Sequence, residues 1–273
     1  MSNLIKSLFA FAAFGFLFTS CNDEINSNVL IPNDVIHQLE EMGFNPDGIE
    51  KIDEGYLIER DIVITYDFLE YHGPHNHVPN HEQYSTNNLV TTNGNRVITM
   101  YADEGRRGYS PAMIAGLDEA ISRFNSQNLE ISFQRITNRR AADIEMKRLS
   151  KRDERRGVLG SAGFPTAGGD PYDEIKMSGI LESSFGLSTD GIATIIAHEM
   201  GHCIGFRHTD YFDRSISCGG ATSNEGDGGV GANHIPGTPT GATLNGASWM
   251  LSCSDGFDRP FNNDDQNALD YLY

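Results

Sequence analysis

The sequence predicts an α+β fold with several strands, two long helices and a long irregular stretch. Runs rich in β-branched residues predict strands, and two segments with apolar residues at helical spacing predict the long helices. The stretch 219–246 holds nine glycines and shows neither the helical nor the strand periodicity of apolar residues, which predicts irregular structure. Apolar residues make up 38% of the 273 residues, an ordinary value for a globular chain.

The segment before residue 95 predicts short elements. Apolar residues recur at helical spacing from Val35 to Met42, and Gly43 would end that helix. Residues 55–64 are rich in β-branched side chains and predict an extended segment. Residues 71–88 are rich in His, Asn and Pro, a composition that predicts a linker.

From Arg96 onward the pattern becomes regular. A helix is predicted from Ser110 to Asn125, because Pro111 suits its first position. A second long helix is predicted over 190–204, and a C-terminal helix with an Asn or Asp cap over 263–272. The predicted strands of this part are 97–101, 129–136, 142–149, 157–164 and 174–178.

The N-terminus predicts an export signal. Lys6 precedes an apolar run from Leu8 to Phe18, which has the length of a signal-peptide core and is too short to span a bilayer. Small residues directly before Cys21 resemble a lipobox, in which that cysteine is lipidated and begins the mature chain. The alternative is a plain secretory signal with an incidental cysteine. We therefore expect an outer-membrane or cell-surface lipoprotein of a diderm bacterium, or otherwise a periplasmic or secreted protein.

The charge balance bears on the class of partner. The chain has 38 acidic residues against 20 basic ones, a formal net charge of -18. Nucleic-acid binding depends on Lys and Arg that neutralise phosphates. The sequence therefore predicts no nucleic-acid partner.

The second long helix carries the strongest chemical signal. His198 and His202 are four residues apart, so on a helix they lie on one face, one turn apart. Two imidazoles placed in this way can bind one Zn²⁺, and Glu199 projects beside the metal, where a general base belongs. Gly205 can take the left-handed conformation that ends a helix, so that His208 returns as a third ligand. Three protein ligands leave a fourth position open, which is typical of a catalytic zinc site.

The residues from His198 to His208 match the metzincin zinc signature, and the resemblance covers about residues 95–273. Within the metzincins they most resemble the bacterial dual-action HEIGH metallopeptidases, with Met200 in place of the isoleucine of that name. The resemblance implies a metzincin-like zincin, with a twisted mixed sheet, a long active-site helix, a loop-rich lower subdomain with a Met-turn, and a C-terminal helix. Residues 247–252 resemble that turn, with Met250 as its methionine, although a buried Trp-Met pair in a loop would look the same. Astacins and serralysins have a zinc-binding Tyr two residues later, where this chain has Ser252.

The resemblance also implies an activity. It points to a zinc endopeptidase of extracytoplasmic proteins, with a water on zinc as nucleophile and Glu199 as general base and then general acid. The substrate would bind in extended form along residues 157–163, unless that segment is simply a glycine-rich loop. We expect a monomer. The alternative from another class is a surface lipoprotein that binds a partner and uses its zinc only for structure.

The chain is predicted to divide into a signal peptide (1–21), a leader with linker (22–94) and a catalytic domain (95–273). The leader is either a pro-segment that keeps the enzyme latent or a permanent small domain. Residues 59–62 resemble the astacin latency motif, in which an aspartate caps the zinc. Asp61 would be that aspartate, and Arg60 stands where the motif has glycine.

Two further predictions concern cysteines and calcium. Cys218 and Cys253 are predicted to form a disulfide, which export permits, while Cys203 inside the zinc helix is predicted to be a buried thiol. Three acidic residues are spaced loosely enough for a structural Ca²⁺, and turn chemistry explains them equally well. They are Asp170, Asp173 and Glu174.

Overall fold

The computed structural model describes residues 31–41, 44, 46, 48–66, 69, 83–104, 108–239 and 247–273. The predicted signal peptide with Cys21, and residues 71–82 of the predicted linker, lie outside the described residues. None of the helices in the described part combines the length and apolar character that crossing a bilayer requires.

The described chain alternates helices and strands. The helices are α1 Asn33–Glu41, α2 Pro111–Asn125, α3 Lys151–Arg155, α4 Thr189–Ile204, α5 Ser215–Cys218 and α6 Asn263–Leu272, and a 3₁₀ turn covers Arg139–Ala141. The strands are β1 Glu50–Ile52, β2 Gly55–Ile58, β3 Ile62–Thr65, β4 Tyr84–Ser85, β5 Arg96–Ala102, β6 Ile131–Arg135, β7 Ile144–Arg148, β8 Gly160–Ala162, β9 Glu174–Met177 and β10 Asn233–His234.

Eight strands form one mixed sheet in the order β1-β2-β3-β8-β9-β7-β5-β6. The pairs β3–β8, β9–β7, β7–β5 and β5–β6 are parallel, and the other neighbours are antiparallel. The predicted α+β class with a large mixed sheet is therefore confirmed. Strands β4 and β10 form a separate two-stranded sheet.

The two long helices pack on each other and on the sheet to form the main core. On α2, Met113, Leu117 and Phe124 are buried against this core, and on α4 every residue from Gly191 to Ile204 is buried. Both helices begin where side chains satisfy free backbone N–H groups. Ser110 accepts from the Met113 backbone and Ser188 from the Gly191 backbone.

The segment 55–64, predicted as one extended run, is a hairpin. Strands β2 and β3 are antiparallel, with Ile58 opposite Ile62 at the turn end and Gly55 opposite Thr65 at the other end. The loop between the strands is 59–61. Glu59 and Arg60 have φ values of 56° and 79°, a region that favours glycine. Because neither residue is a turn former, the apolar residues on both sides hid the turn in the sequence.

The end of the predicted linker is packed rather than free. Tyr84 in β4 is fully buried, and its ring lies 4.3 Å from that of Tyr211 between centroids. The strand pairs with β10 inside the glycine-rich stretch that was predicted to be irregular. Long-range pairing of this kind leaves no local periodicity in two-residue strands.

Candidate metal centre

Helix α4 brings two histidines to one face and then ends sharply. Its last turn closes at Gly205, whose φ of 109° is left-handed and whose N–H reaches the carbonyls of Gly201 and His202. A side chain there would be strained by that conformation. The chain then reverses, so that His208 returns beside His198 and His202.

The three imidazoles converge through the same ring nitrogen. His208 Nε2 lies 3.3 Å from His198 Nε2 and 3.2 Å from His202 Nε2. All three residues are buried. Together with Asp61, they form a group of four possible metal ligands.

The opposite ring nitrogens fix the tautomers. His198 Nδ1 donates to the Trp249 carbonyl and His202 Nδ1 to the Phe206 carbonyl, both at 2.9 Å. His208 lies 2.6 Å from Glu225 Oε1 through its Nδ1. With each Nδ1 committed as a donor to its outer partner, each ring directs its Nε2 toward the other two, and that nitrogen carries a lone pair when the ring is neutral. Burial, then the neighbouring His198 and His208, lower the pKa of His202 well below its usual value, which favours a neutral ring.

Such a convergence of acceptors fits a cation. Three lone pairs in one buried place repel one another unless a positive charge lies between them. Neutral imidazole nitrogens are preferred ligands of zinc, and each ring has the outer hydrogen bond that ligating histidines usually make. The residues present therefore fit a zinc ion.

Glu199 lies directly beside this group. Its side chain packs against Gly160 of β8 so closely that a Cβ at that position would collide with the carboxylate. Among the described residues, Glu199 Oε2 is buried and has no hydrogen-bond partner. Burial, then the charge of Asp61, raise the pKa of Glu199 well above its usual value.

The turn around Met250 lies under the histidines. Met250 is fully buried, its carbonyl accepts from the Thr209 backbone at 2.8 Å, and the preceding residue, Trp249, holds His198. Ser248 donates to Asp265 at 2.7 Å, and Asp265 belongs to the capping box of α6. The C-terminal helix thus anchors the turn that supports the site.

Asp61, in the loop between β2 and β3, reaches the same centre. Its Oδ2 lies 3.0 Å from His208 Nε2 and 3.8 Å from His198 Nε2. Its carbonyl accepts from the Ala162 backbone at 2.9 Å. Strand β8, which lies in the segment predicted to bind substrate, pairs with β9 on one side and β3 on the other.

Glu225 is a site residue that the sequence reasoning missed. It is fully buried, and Ser252 Oγ lies 3.0 Å from its Oε1. Burial alone would raise the pKa of the Glu225 carboxyl, but His208, Arg214 and Arg207 lower it to about 2. It is therefore an anion that can hold His208 through Nδ1. Nothing in its glycine-rich surroundings distinguished it from other acidic residues.

A cavity of about 210 Å³ opens beside Glu199. Its walls are the middle of α4 (194–199), the segment 157–160, the residues on either side of Met250, and leader residues 59–61. Arg214 and Arg259 bring positive charge to its lining. The cavity thus reaches His198 of the histidine cluster, and the leader forms part of its wall.

The remaining predicted site residues lie outside the metal centre. Cys218 and Cys253 form a disulfide, and Cys203 is a buried free thiol. Asp170 pairs with Arg96 at 2.8 Å, and Glu174 pairs with Lys147. In the part of the chain that the structure describes, the groups of possible metal ligands do not include Asp170, Asp173 or Glu174.

Three histidines around one point, with a buried carboxylate beside them, are the parts of a metal-dependent hydrolase. Residues 56–273 match the dual-action HEIGH metallo-peptidase family, and the chain belongs to it. The resemblance to this family is therefore confirmed. The protein is a zinc metallopeptidase, and its substrate is protein.

The chain has low sequence identity to two similar solved structures. No curated protein matches the chain. The crystal structure of myroilysin is similar with a TM-score of 0.37 and 12% identity, covering 63% of this chain and 80% of its own. The GM1-bound form of the ECX AB5 holotoxin has a TM-score of 0.30 and 15% identity, covering 47% of this chain and 62% of its own. TM-scores this low carry no weight for the function of this chain.

The Glu225–His208 contact leads to a prediction about metal affinity. Glu225→Gln replaces a carboxylate, which can only accept, by an amide that can also donate. If its N–H₂ faces His208 Nδ1, the tautomer of the His208 ring is no longer fixed. Loss of such an outer partner typically weakens metal binding by roughly 10–100-fold. We expect that loss in a zinc competition assay against a chelator. Glu130→Gln, an exposed matched control, should leave the affinity unchanged, and equal affinity in both variants would contradict the role of Glu225.

Proposed function

We propose that this protein is a metzincin-type zinc endopeptidase that cleaves extracytoplasmic proteins with Glu199 as general base and general acid. The observation that carries the proposal is the convergence of three Nε2 atoms, each with its Nδ1 committed elsewhere, beside the Glu199 carboxylate, whose Oε2 has no partner among the described residues. The Met250 turn beneath the histidines supports the metzincin subclass. A structural zinc site would have no use for a buried base next to an incomplete ligand set.

The chain's own residues supply most of the mechanism. His198, His202 and His208 would hold a zinc ion, which would supply a Lewis acid for the peptide carbonyl and a nucleophilic water at neutral pH. Glu199 accepts the proton that the attacking water loses and donates it to the leaving nitrogen. Gly160 leaves the room that this carboxylate needs, and Glu225 keeps the His208 lone pair directed at the centre.

The experiment that tests this function is digestion of a peptide library by zinc-loaded Asp61→Ala protein, whose leader lacks its contact with the ligand group, and by the same protein carrying Glu199→Gln. The proposal expects internal peptide bonds to be cut by the parent and not by the variant, with zinc bound to both. A binding module with structural zinc would instead give no zinc-dependent cleavage by either.

We propose further that the leader keeps the enzyme latent. Support comes from Asp61, whose carboxylate lies among the ligand nitrogens, and from β3, which occupies the edge of β8 where an extended substrate would add. Glu59 is buried with both carboxyl oxygens unpartnered among the described residues. Burying the Glu59 carboxyl without hydrogen bonds destabilises the docked state of the leader. Such a cost is expected if the leader is to be displaced from the cleft. The division into leader (22–94) and catalytic domain (95–273) remains part of this proposal.

The cellular setting is proposed from the sequence alone. We infer an exported monomer anchored to a membrane through a lipid on Cys21. Without the thiol no lipid can be attached, so Cys21→Ala is expected to move the protein from the membrane fraction to the soluble fraction. Immunoblots of fractionated cells measure this, with Cys203→Ala as the matched control. Unchanged partitioning of Cys21→Ala would contradict the anchor.

A further inference from the structure

We propose that Arg214 binds a main-chain carbonyl oxygen of the peptide that lies in the active-site cleft. The proposal rests on the proposed peptidase function and names the residue that aligns its substrate. The ligand class is an extended peptide, recognised through its backbone rather than through a particular side chain.

The geometry of Arg214 is that of a held donor. Its Nη2 donates to the Glu59 carbonyl at 3.0 Å, while its Nε lies 3.3 Å from Glu225 Oε1. Its side chain is 15% exposed and lines the cavity that also contains His198 and Glu199. One edge of the guanidinium thus faces the buried Glu225 carboxylate, while another holds the Glu59 carbonyl of the leader.

The leader marks the path of a peptide across this cleft. Its backbone is held at two points two residues apart: Arg214 binds the Glu59 carbonyl, and the Ala162 N–H of β8 binds the Asp61 carbonyl. Every peptide presents such carbonyls, so the same two donors can hold a substrate when the leader is absent. Main-chain hydrogen bonds of this kind give affinity without demanding a sequence.

Glu225 links this donor to the metal centre. The same Oε1 atom contacts His208 Nδ1 and Arg214 Nε, so the third ligand and the carbonyl donor share one anchor. A shared anchor fixes the bound carbonyl relative to the ligand cluster, and such positioning is a large part of catalysis.

A purely structural role for Arg214 has a different signature. If its task were only to neutralise Glu225, another cation would serve, and Arg207 Nη2 already lies 3.6 Å from Glu225 Oε2. A guanidinium can bind two groups at once through its rigid fork, whereas an ammonium is a point charge. The carbonyl-binding role therefore predicts that lysine is a poor replacement.

The test uses the full chain carrying Asp61→Ala, so that the leader is less firmly held. Arg214→Lys and Arg214→Met are made in this background, with Arg135→Met, a surface arginine paired to Asp118, as the control. The measurements are kcat and KM on a library-derived peptide, Ki for a synthetic peptide of residues 55–66, and zinc affinity. A hydrogen bond to a charged group contributes about 1.5–3 kcal/mol, so KM and Ki are expected to rise together by roughly 10–100-fold in Arg214→Met.

For Arg214→Met we also expect kcat to change less than KM and zinc affinity to equal that of the Arg135→Met control. Arg214→Lys is expected to recover only part of the lost peptide affinity. Cleavage by Arg214→Met with unchanged KM and Ki would overturn the proposal. A loss of peptide affinity that is matched by an equal loss of zinc affinity would also overturn it. Full activity of Arg214→Lys would assign Arg214 to charge neutralisation alone. Absence of zinc-dependent cleavage in every variant would contradict the proposed function itself and, with it, the substrate role of Arg214.

Discussion

Replacing Glu199 by glutamine is expected to lower peptide cleavage by about 10²–10⁴-fold, the usual contribution of a general acid–base residue. The amide has nearly the same shape, so it fills the space beside Gly160, but it cannot accept and return a proton. Zinc should remain bound, because Glu199 is not among the converging nitrogens and carboxylate of the ligand group. The change is therefore expected in kcat rather than in metal content.

The measurement compares initial rates on a fluorogenic peptide with zinc content by elemental analysis. Both should be made in the unaltered chain and in the Asp61→Ala background, so that latency does not hide the loss. Glu130→Gln serves as the matched control. A Glu199→Gln protein that keeps its zinc and cleaves as fast as its parent would exclude Glu199 as the base.

Asp61→Ala is expected to raise the activity of the full chain by roughly 10–100-fold. Its carboxylate lies 3.0 Å from His208 Nε2 and belongs to the group of possible metal ligands, so in the zinc-loaded chain it would lie at the metal itself. A charge-assisted contact contributes about 1.5–3 kcal/mol, and its loss shifts the leader toward its displaced state by the corresponding factor. The expected gain is in the fraction of molecules that can bind substrate.

Progress curves of freshly purified protein measure this gain before any cleavage of the leader occurs. Asp53→Ala is the matched control, since Asp53 is an exposed acid of the same leader, in the turn between β1 and β2. No difference between Asp61→Ala and the parent would rule out the aspartate switch. The leader would then be a permanent part of the fold.

The helix and its ligands could be predicted because their information is local. The spacing of His198 and His202 requires only a helix, and the return of His208 requires only a helix end at Gly205. Both are properties of a dozen consecutive residues. The Ser110 and Ser188 caps and the buried faces of α2 and α4 are local in the same sense.

The environment of the site could not be predicted because it depends on distant segments. Glu225 reaches His208 from an irregular stretch. Arg214 contacts Glu225 and also Glu59, which is 155 positions away in the sequence. The pairing of β3 with β8 joins residues 62 and 162. The left-handed Glu59 and Arg60 also run against residue preference, so the hairpin that carries Asp61 had no local signal.

The ligand set of the bound metal tests the central claim most directly. X-ray absorption at the zinc edge of the zinc-loaded full chain is predicted to give one zinc per chain with three imidazole nitrogens at about 2.0–2.1 Å and no sulfur. His208→Ala should reduce the imidazole number by one. A spectrum with sulfur, or with fewer than three imidazoles in the unaltered protein, would contradict the site built by His198, His202 and His208.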